Sequence, residues 1–328
     1  TEIYTLSLHD ALPICNGGRP IAEIAQDGQG RGARGAYKKE GFKKDYKGKI
    51  SAMDRLISEY PESQYVDDAL FEKGRSYVLL ENSSSAAQAF EKLIREFPLS
   101  SLARKAGIQL GLLYYNDNQP EKALAAYKQV ISNYPGSEEA KIALQDLKSV
   151  YIDLNDINAY ASYVNSIGGN IRLEVGEQDS LTYIAAEKLF MRGDNDGARR
   201  SLAGYLQTFP EGAFSSNANF YLGSIAFAKK EFDEAIQRFK SVIASGDTKF
   251  LEESVARTAE IEYLSKDYPA ALESFKRLLI VAENPENRQA ARLGIMRCAL
   301  QTEQQKDALL AADELLKEPK LSPELERS

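Results

Sequence analysis

The sequence contains no tryptophan, one histidine and two cysteines, and these scarcities exclude several classes of site. Cys15 and Cys298 cannot form a disulfide framework or a zinc site made of thiolates. His9 alone cannot supply a pair of metal-binding imidazoles. No stretch approaches the roughly 18 consecutive apolar residues that a membrane span requires. With 43% hydrophobic residues, the 328-residue chain can nevertheless bury a core.

Residues 1–14, TEIYTLSLHDALPI, resemble the translation of a common short-read sequencing adapter over their whole length. We therefore treat them as an artefact and leave them out of the fold prediction, which removes His9 and Asp10 as a catalytic pair. The segment from Leu12 to Cys15 also resembles a lipoprotein cleavage box, but it lacks a small residue before the cysteine. On this interpretation the native N-terminus is missing, so the sequence does not determine the compartment.

Residues 15–44 form a glycine-rich, basic segment that we predict to be poorly ordered. The run from Gly30 to Gly35 matches G-x-G-x-x-G, but no strand–helix–strand pattern surrounds it, so the context of a dinucleotide site is absent. A nucleic-acid-binding tail rich in arginine and glycine remains an alternative interpretation. A flexible junction is the simplest interpretation of the segment.

A repeat of about 37 residues organises the rest of the chain. Four aromatic-proline pairs mark it, ending at Pro61, Pro98, Pro135 and Pro210. The first three prolines are 37 residues apart, and the fourth follows after two further periods. Between these marks the pattern predicts a helix, a short turn and a second helix.

Residues 120–134 show why each half of the repeat is predicted to be a helix. Apolar side chains recur there at spacings of three and four, which gives one apolar face. Pro120 lies in the first turn, where its missing N–H costs little, and Pro135 cannot continue the helix. Ser137 then stands where it can cap the next helix. A glycine such as Gly111 in the preceding helix would allow close approach to an aromatic residue.

These features resemble the tetratricopeptide repeat, with its apolar-glycine pair, aromatic residues, alanine and closing proline. The best copies contain Leu110, Gly111, Tyr114, Ala123, Tyr127, Val130 and Pro135; Gly74, Tyr77, Ala86, Phe90, Leu93 and Pro98; and Leu222, Gly223, Ala235, Phe239 and Val242. Weaker copies extend the likeness over about residues 45–328. The resemblance implies an all-α fold, an α-α superhelix or solenoid of about seven to eight antiparallel helix hairpins.

The aromatic-Pro-x-Ser closing turn is similar to repeats of bacterial cell-envelope proteins, namely the Tol-Pal coordinating protein and the lipoprotein of the outer-membrane barrel assembly machinery. The stretch from Tyr163 to Glu187 resembles large repeat proteins of Bacteroidetes-type bacteria. This likeness implies a role in the cell envelope and a place in the periplasm or at the outer membrane. A cytoplasmic location is the alternative.

The repeat pattern predicts two subarrays, at residues 45–167 and 178–328. Residues 168–177 lack the closing proline and are predicted to be a linker between them. The second subarray is predicted to be truncated, because Ser322 and Pro323 begin a helix pattern only a few residues before the sequence ends.

No motif indicates catalysis, so we predict a protein that is not an enzyme and has no cofactor or metal. There is no phosphate-binding loop and no nucleophile elbow. The carboxylate pairs at 67–68, 138–139 and 252–253 stand at predicted helix starts, where they complement the helix dipole. Cys298 lies in an apolar run and is predicted to be a buried structural thiol.

The family resemblance implies that the first helix of each hairpin lines a concave groove that binds a protein segment. The residues predicted to lie there are Arg75, Ile108, Tyr115, Asn116, Tyr183, Phe190, Phe220, Ser224, Phe227 and Arg288. For the aromatic residues, ordinary packing between repeats is an equal alternative. Family members that clamp a C-terminal carboxylate use polar residues where this chain has Phe71 and Ile108, so we expect no such clamp.

Partners are predicted to be proteins or peptides and not nucleic acid. Because residues 1–14 carry −2 and residues 15–49 carry +5, the total charge of −7 leaves −10 on residues 50–328. This charge disfavours an RNA-binding helical repeat, which needs a basic surface. A second alternative is that the array belongs to a larger enzyme or signalling protein whose catalytic domain is missing.

Overall fold

The computed structural model describes residues 45–168, 173–246 and 249–317. The proposed adapter segment, the glycine-rich segment and the predicted C-terminal helix at Pro323 lie outside these residues, as do residues 169–172 of the predicted linker. The described residues form fifteen helices and no strand. The helices are α1 Tyr46–Glu59, α2 Val66–Leu79, α3 Ser83–Glu96, α4 Ser101–Asn116, α5 Pro120–Asn133, α6 Glu138–Asp153, α7 Ile157–Ile167, α8 Val175–Met191, α9 Asn195–Thr208, α10 Ser215–Ala228, α11 Phe232–Ala244, α12 Leu251–Leu264, α13 Tyr268–Val281, α14 Pro285–Gln301 and α15 Gln305–Leu316.

The predicted all-α array of hairpins is confirmed. From α2 onwards the described helices form seven consecutive hairpins, each with a first and a second helix, and α1 precedes them. The chain divides into two compact units, with unit 1 ending at Val150 and unit 2 beginning at Tyr151, both within α6. The sequence placed its break at residues 168–177, and within that range α8 already begins at Val175.

The turn inside every hairpin has the same backbone geometry. One residue per turn has a φ between 53° and 81°, and successive examples are 36 to 38 residues apart along the chain: Glu81, Asn118, Asn155, Gly193, Lys230, Lys266 and Glu303. The next residue donates its N–H to a carbonyl five positions back, as Asn82 does to Tyr77 at 2.9 Å. This pattern is a Schellman motif, which satisfies carbonyls at the end of the first helix. The left-handed residues therefore mark the repeat more regularly than the prolines do.

The turn between hairpins carries the aromatic-proline pairs. Tyr60 ends α1, and Phe97, Tyr134 and Phe209 each end a second helix, all with φ near −130° and ψ between 54° and 68°. A following proline disfavours the helical region for these residues, so the helix ends. The predicted cap is confirmed, because Ser137 Oγ accepts a hydrogen bond from the N–H of Ala140 at 3.0 Å.

Most hairpins bury a small residue where their two helices meet. The alanine near the start of the second helix is fully buried in most hairpins, as Ala123 and Ala235 show. In three hairpins a glycine of the first helix faces an aromatic ring of the second, including Gly74 against Phe90. The core of unit 1 joins such residues of α2 to α5 into one cluster. Unit 2 has a similar cluster around Tyr205 and Leu222.

Candidate protein-binding surface

Each first helix carries an apolar residue at a repeated position near its C-terminal end. It lies three residues before the left-handed turn residue and is partly or fully exposed in every hairpin. We call these residues the apolar row: Val78 and Tyr115 in unit 1, and Ile152, Phe190, Phe227, Tyr263 and Leu300 in unit 2. The sequence prediction named Tyr115, Phe190 and Phe227 and missed the other four. Counting along the chain from Tyr115 in steps of about 37 residues would have found them.

Exposed apolar side chains flank the row in unit 2. Met191 and Leu264 directly follow row residues and are 64% and 56% exposed, and Leu300 of the row itself is 58% exposed. Moving side chains of this size out of water is favourable. Their regular placement on first helices is compatible with contact to an extended or helical segment.

We call the side of the first helices that carries the apolar row the first-helix face. In unit 1 the predicted residues Ile108, Tyr115 and Asn116 lie seven and eight residues apart on α4, which puts them on this side of the helix. Ile108 and Tyr115 are half-buried, and Asn116 is exposed. Arg75 lies on α2 and donates to Glu72 at 2.8 Å. Burial alone would raise the pKa of Glu72, but Lys49 and Arg75 hold it below its usual range.

Unit 1 also contains a cleft of about 550 Å³ between α1, α2 and α3. Lys73 lies in it and pairs with Asp54 at 2.5 Å. Arg55 pairs with Glu59 at 3.2 Å. Lys92, the third cation in its lining, pairs with Glu96 at 3.9 Å, so each of these cations already has a carboxylate partner.

Tyr183 of unit 2 does not line a surface, although the sequence placed it there. Its side chain is only 2% exposed, because its ring stacks on Phe214 with centroids 4.5 Å apart. Its hydroxyl donates to Glu187 at 2.6 Å and accepts from the amide of Asn217 at 3.2 Å. Tyr183 is therefore a packing residue beneath the surface and is not available to a partner.

Phe190 and Phe220 take part in an aromatic group centred on Tyr221. The centroid of Phe190 is 4.6 Å from that of Tyr221, and Phe220 stacks on Phe250 at 4.1 Å. Burial, the hydrogen bond to Glu187 and the charge of that carboxylate raise the pKa of Tyr221 to about 12. The rings of Phe190 and Phe220 are half-buried, so they both pack and present a surface. The sequence prediction missed Tyr221 and Glu187.

The remaining predicted residues of unit 2 have local partners. Ser224 donates to the carbonyl of Phe220 at 2.9 Å. The guanidinium of Arg257 lies 4.9 Å from the centroid of Phe227. Arg288 donates to the carbonyl of Ala282 at 3.2 Å, which places it at the turn between α13 and α14. Of these three, Phe227 is the one that belongs to the apolar row.

The described residues contain no group of three or more histidine, cysteine or carboxylate side chains able to hold a metal ion. In the same part of the chain, no helix combines the length and the apolar character that crossing a bilayer requires. Cys298 is buried, as predicted, and burial raises the pKa of its thiol to about 11. A thiol in this state is a poor nucleophile at neutral pH.

Comparisons with known families match each unit separately. The family described as outer membrane lipoprotein matches residues 67–145, which lie in unit 1. The tetratricopeptide repeat family matches residues 185–248, which lie in unit 2. No curated protein sequence matches the chain.

Several solved structures resemble the chain at low identity. A tetratricopeptide repeat protein from Parabacteroides merdae is 14% identical, with a TM-score of 0.31, over 80% of this chain and 96% of that one. The TPR2AB domain of yeast Sti1 in complex with pHSP90 is 13% identical, with a TM-score of 0.37, over 85% of this chain and 95% of that one. At these values neither likeness bears on function. The chain is thus an array of repeated helix hairpins that is similar to the tetratricopeptide repeat family over residues 185–248 and to outer membrane lipoproteins over residues 67–145.

Proposed function

We propose that this chain is a non-catalytic scaffold that binds a segment of another protein along its first-helix face. The observation that carries the proposal is the apolar row, which keeps a large, partly exposed apolar side chain at the same position of every hairpin. Packing of the core does not require apolar residues to recur at an exposed position. A row of apolar contacts spaced by one repeat suits a segment that runs across several hairpins.

The charge of the array supports a protein partner over nucleic acid. Residues 50–328 carry −10, and an acidic surface repels a phosphate backbone. A protein segment rich in lysine or arginine would be attracted to the same surface, and this attraction should weaken as salt is added.

We further propose that the scaffold acts in assembly of the cell envelope, in the periplasm or at the outer membrane. The support is the similarity of residues 67–145 to outer membrane lipoproteins. Expression of the complete gene in a Gram-negative host, followed by separation of the membranes, tests this location. Recovery of the protein in the cytoplasmic fraction alone would contradict it.

The binding proposal is tested by removing exposed apolar side chains from one face at a time. The test variant carries Met191→Ser, Leu264→Ser and Leu300→Ser, all on or beside the apolar row. The matched control carries Ile280→Ser, Leu309→Ser and Leu316→Ser, which are at least as exposed but lie on second helices. Both variants should fold as the wild type does, because none of these side chains fills the core.

Proteins captured from a bacterial envelope extract are then compared between the three chains by mass spectrometry. We expect specific partners of the wild type to be lost with the row variant and kept with the control. If the row variant retains every partner, or if the control loses the same ones, the face is not the binding surface. If the wild-type array shifts single-stranded RNA at physiological salt, the proposal of a protein scaffold is wrong.

A further inference from the structure

Glu187 in unit 2 is a half-buried carboxylate held in place by two tyrosine hydroxyls. Tyr183 and Tyr221 both donate to its Oε1, at 2.6 and 3.0 Å. Asn217 in turn donates to the hydroxyl of Tyr183 at 3.2 Å. Three side chains from two first helices, α8 and α10, therefore fix the position of one negatively charged group. Such a fixed acceptor loses little conformational entropy when it binds a ligand.

The carboxylate of Glu187 lacks a cationic partner in the described part of the chain. Among the described residues, no lysine or arginine nitrogen lies within 4 Å of it, and the adjacent Lys188 pairs instead with Asp153. Other carboxylates on first helices differ in this respect. Glu253 and Glu260 pair with Arg257 at 2.8 and 3.0 Å, and Glu72 pairs with Arg75. A half-buried carboxylate without a counter-charge is costly unless something else supplies the charge.

Aromatic rings stand next to this carboxylate. Phe190 lies one helical turn after Glu187 on α8, and its centroid is 4.6 Å from that of Tyr221, whose hydroxyl binds Glu187. The face of an aromatic ring attracts a cation. The same unit already shows this contact twice, with Lys249 Nζ 4.7 Å from the centroid of Phe250 and Arg257 4.9 Å from that of Phe227. At Glu187 the rings and the carboxylate are present, but none of the cations that the structure describes lies beside them.

We infer that Glu187, Phe190 and Tyr221 form a receptor for a lysine or arginine side chain of the bound protein segment. The cation contacts the free oxygen of Glu187, and the aliphatic part of the side chain lies along the ring of Phe190. This inference rests on the proposed function, since it assumes that a protein segment binds the first-helix face. It specifies which side chain that segment presents and where along unit 2 the side chain is placed.

The test uses arrays of twelve-residue peptide pools, in which one central position is fixed and the others are randomised. The fixed residue is arginine, lysine, citrulline, norleucine or glutamate, and binding of the fluorescently labelled full chain is measured. Citrulline and norleucine keep the shapes of arginine and lysine without the charge. We expect the wild type to prefer the arginine and lysine pools over their uncharged counterparts by about five- to tenfold, as a partly desolvated cation site would.

Glu187→Gln tests the residue, because it keeps an acceptor for both tyrosine hydroxyls and removes only the charge. Glu211→Gln is the matched control, with the same charge change in an exposed turn. We expect Glu187→Gln to abolish the preference and Glu211→Gln to keep it. A second variant, Phe190→Leu, should reduce the preference while leaving Glu187 in place. Thermal melts by circular dichroism establish that each variant is folded.

The outcomes separate this inference from the function on which it rests. If the wild type binds no pool, the proposed function itself fails. If the wild type binds pools but shows no preference for a cation, or if the preference survives Glu187→Gln, the receptor is overturned while segment binding stands. If Glu187→Gln does not fold, survival of the full preference in Phe190→Leu overturns the receptor.

Discussion

Gly111 of α4 lies so close to the ring of Tyr127 in α5 that a Cβ atom on Gly111 would be 2.4 Å from Cε1 of that ring. Tyr127 is only 1% exposed and cannot move aside. The glycine is therefore required by the closeness of the two helices, and its backbone conformation is an ordinary helical one. Gly74 with Phe90 and Gly223 with Phe239 repeat this relationship.

Gly111→Ala should therefore destabilise the protein even though alanine favours a helix. Overpacking costs roughly 1–3 kcal/mol and the gain in helix propensity offsets about 1 kcal/mol, so we expect a net loss of up to about 2 kcal/mol. Gly204→Ala in α9 is the control, because a Cβ there meets no atom within 4 Å. It should stabilise the protein by about 0.5–1 kcal/mol. Urea unfolding measures both, and equal effects would contradict the close approach.

Ala123→Leu should cost roughly 1–3 kcal/mol, because Ala123 is fully buried between the helices of its hairpin. Ala125 stands two positions later on the exposed side of α5. Ala125→Leu should leave the free energy of unfolding within about 0.5 kcal/mol of the wild type. Ala126 of the same helix is also buried and would not serve as the exposed control for Ala123→Leu. A larger loss at Ala125 than at Ala123 would mean that the assigned face of α5 is wrong.

Substitutions at the left-handed residues of the hairpin turns should increase the stability of the protein. Lys230 and Lys266 have φ values of 61° and 62°. This left-handed conformation is unfavourable for a residue that has a Cβ atom and is not unfavourable for glycine. Lys230→Gly and Lys266→Gly should each stabilise the protein by about 0.5–1 kcal/mol, after the larger entropy of glycine in the unfolded chain is deducted.

Ser265→Gly is the control for these changes, because Ser265 precedes Lys266 and has a φ of −77°. Glycine gains nothing at such a position and should destabilise the turn. The midpoints of thermal unfolding give the order of the variants. If Ser265→Gly is as stabilising as Lys266→Gly, the left-handed conformation is not the cause.

The pH dependence of stability should contain a contribution from Asp146 in unit 1. Burial raises the pKa of this carboxyl above its ordinary value of 3.8, although a hydrogen bond from Tyr127 opposes the shift. A carboxyl with a raised pKa in the folded state stabilises the protein most below its ordinary pKa, and this contribution is lost as the pH rises through the raised value. Asp146→Asn should therefore increase the melting temperature at neutral pH.

The gain from Asp146→Asn should shrink as the pH is lowered towards 3.8 and disappear below it, because the wild-type carboxyl is then protonated in both states. Melting temperatures of both chains across this range measure the difference. A gain that stays constant with pH would show that the effect does not come from ionisation of Asp146.

Sequence reasoning reached the features that depend on neighbours in the chain. Pro135 ends α5, Ser137 caps α6, and the repeat of alanine, glycine and aromatic residues predicts the hairpins, because helix ends and apolar faces are set within one or two turns of helix. It did not predict the left-handed turns, since six of the seven hold glutamate, asparagine or lysine instead of glycine.

Only the tertiary structure decided which aromatic residues are buried and which stay partly exposed. Tyr183 and Phe190 occupy one face of α8, yet Tyr183 is covered by Phe214 and Phe190 stays half-exposed beside Tyr221. The covering residues come from positions 31 residues along the chain, and the hydrogen bond from Tyr221 to Glu187 spans 34 residues. Helical periodicity predicts which residues share a face of a helix, but it does not predict which residues of the next hairpin cover that face. The exposure of a residue on the face is therefore determined only when the hairpins pack against each other.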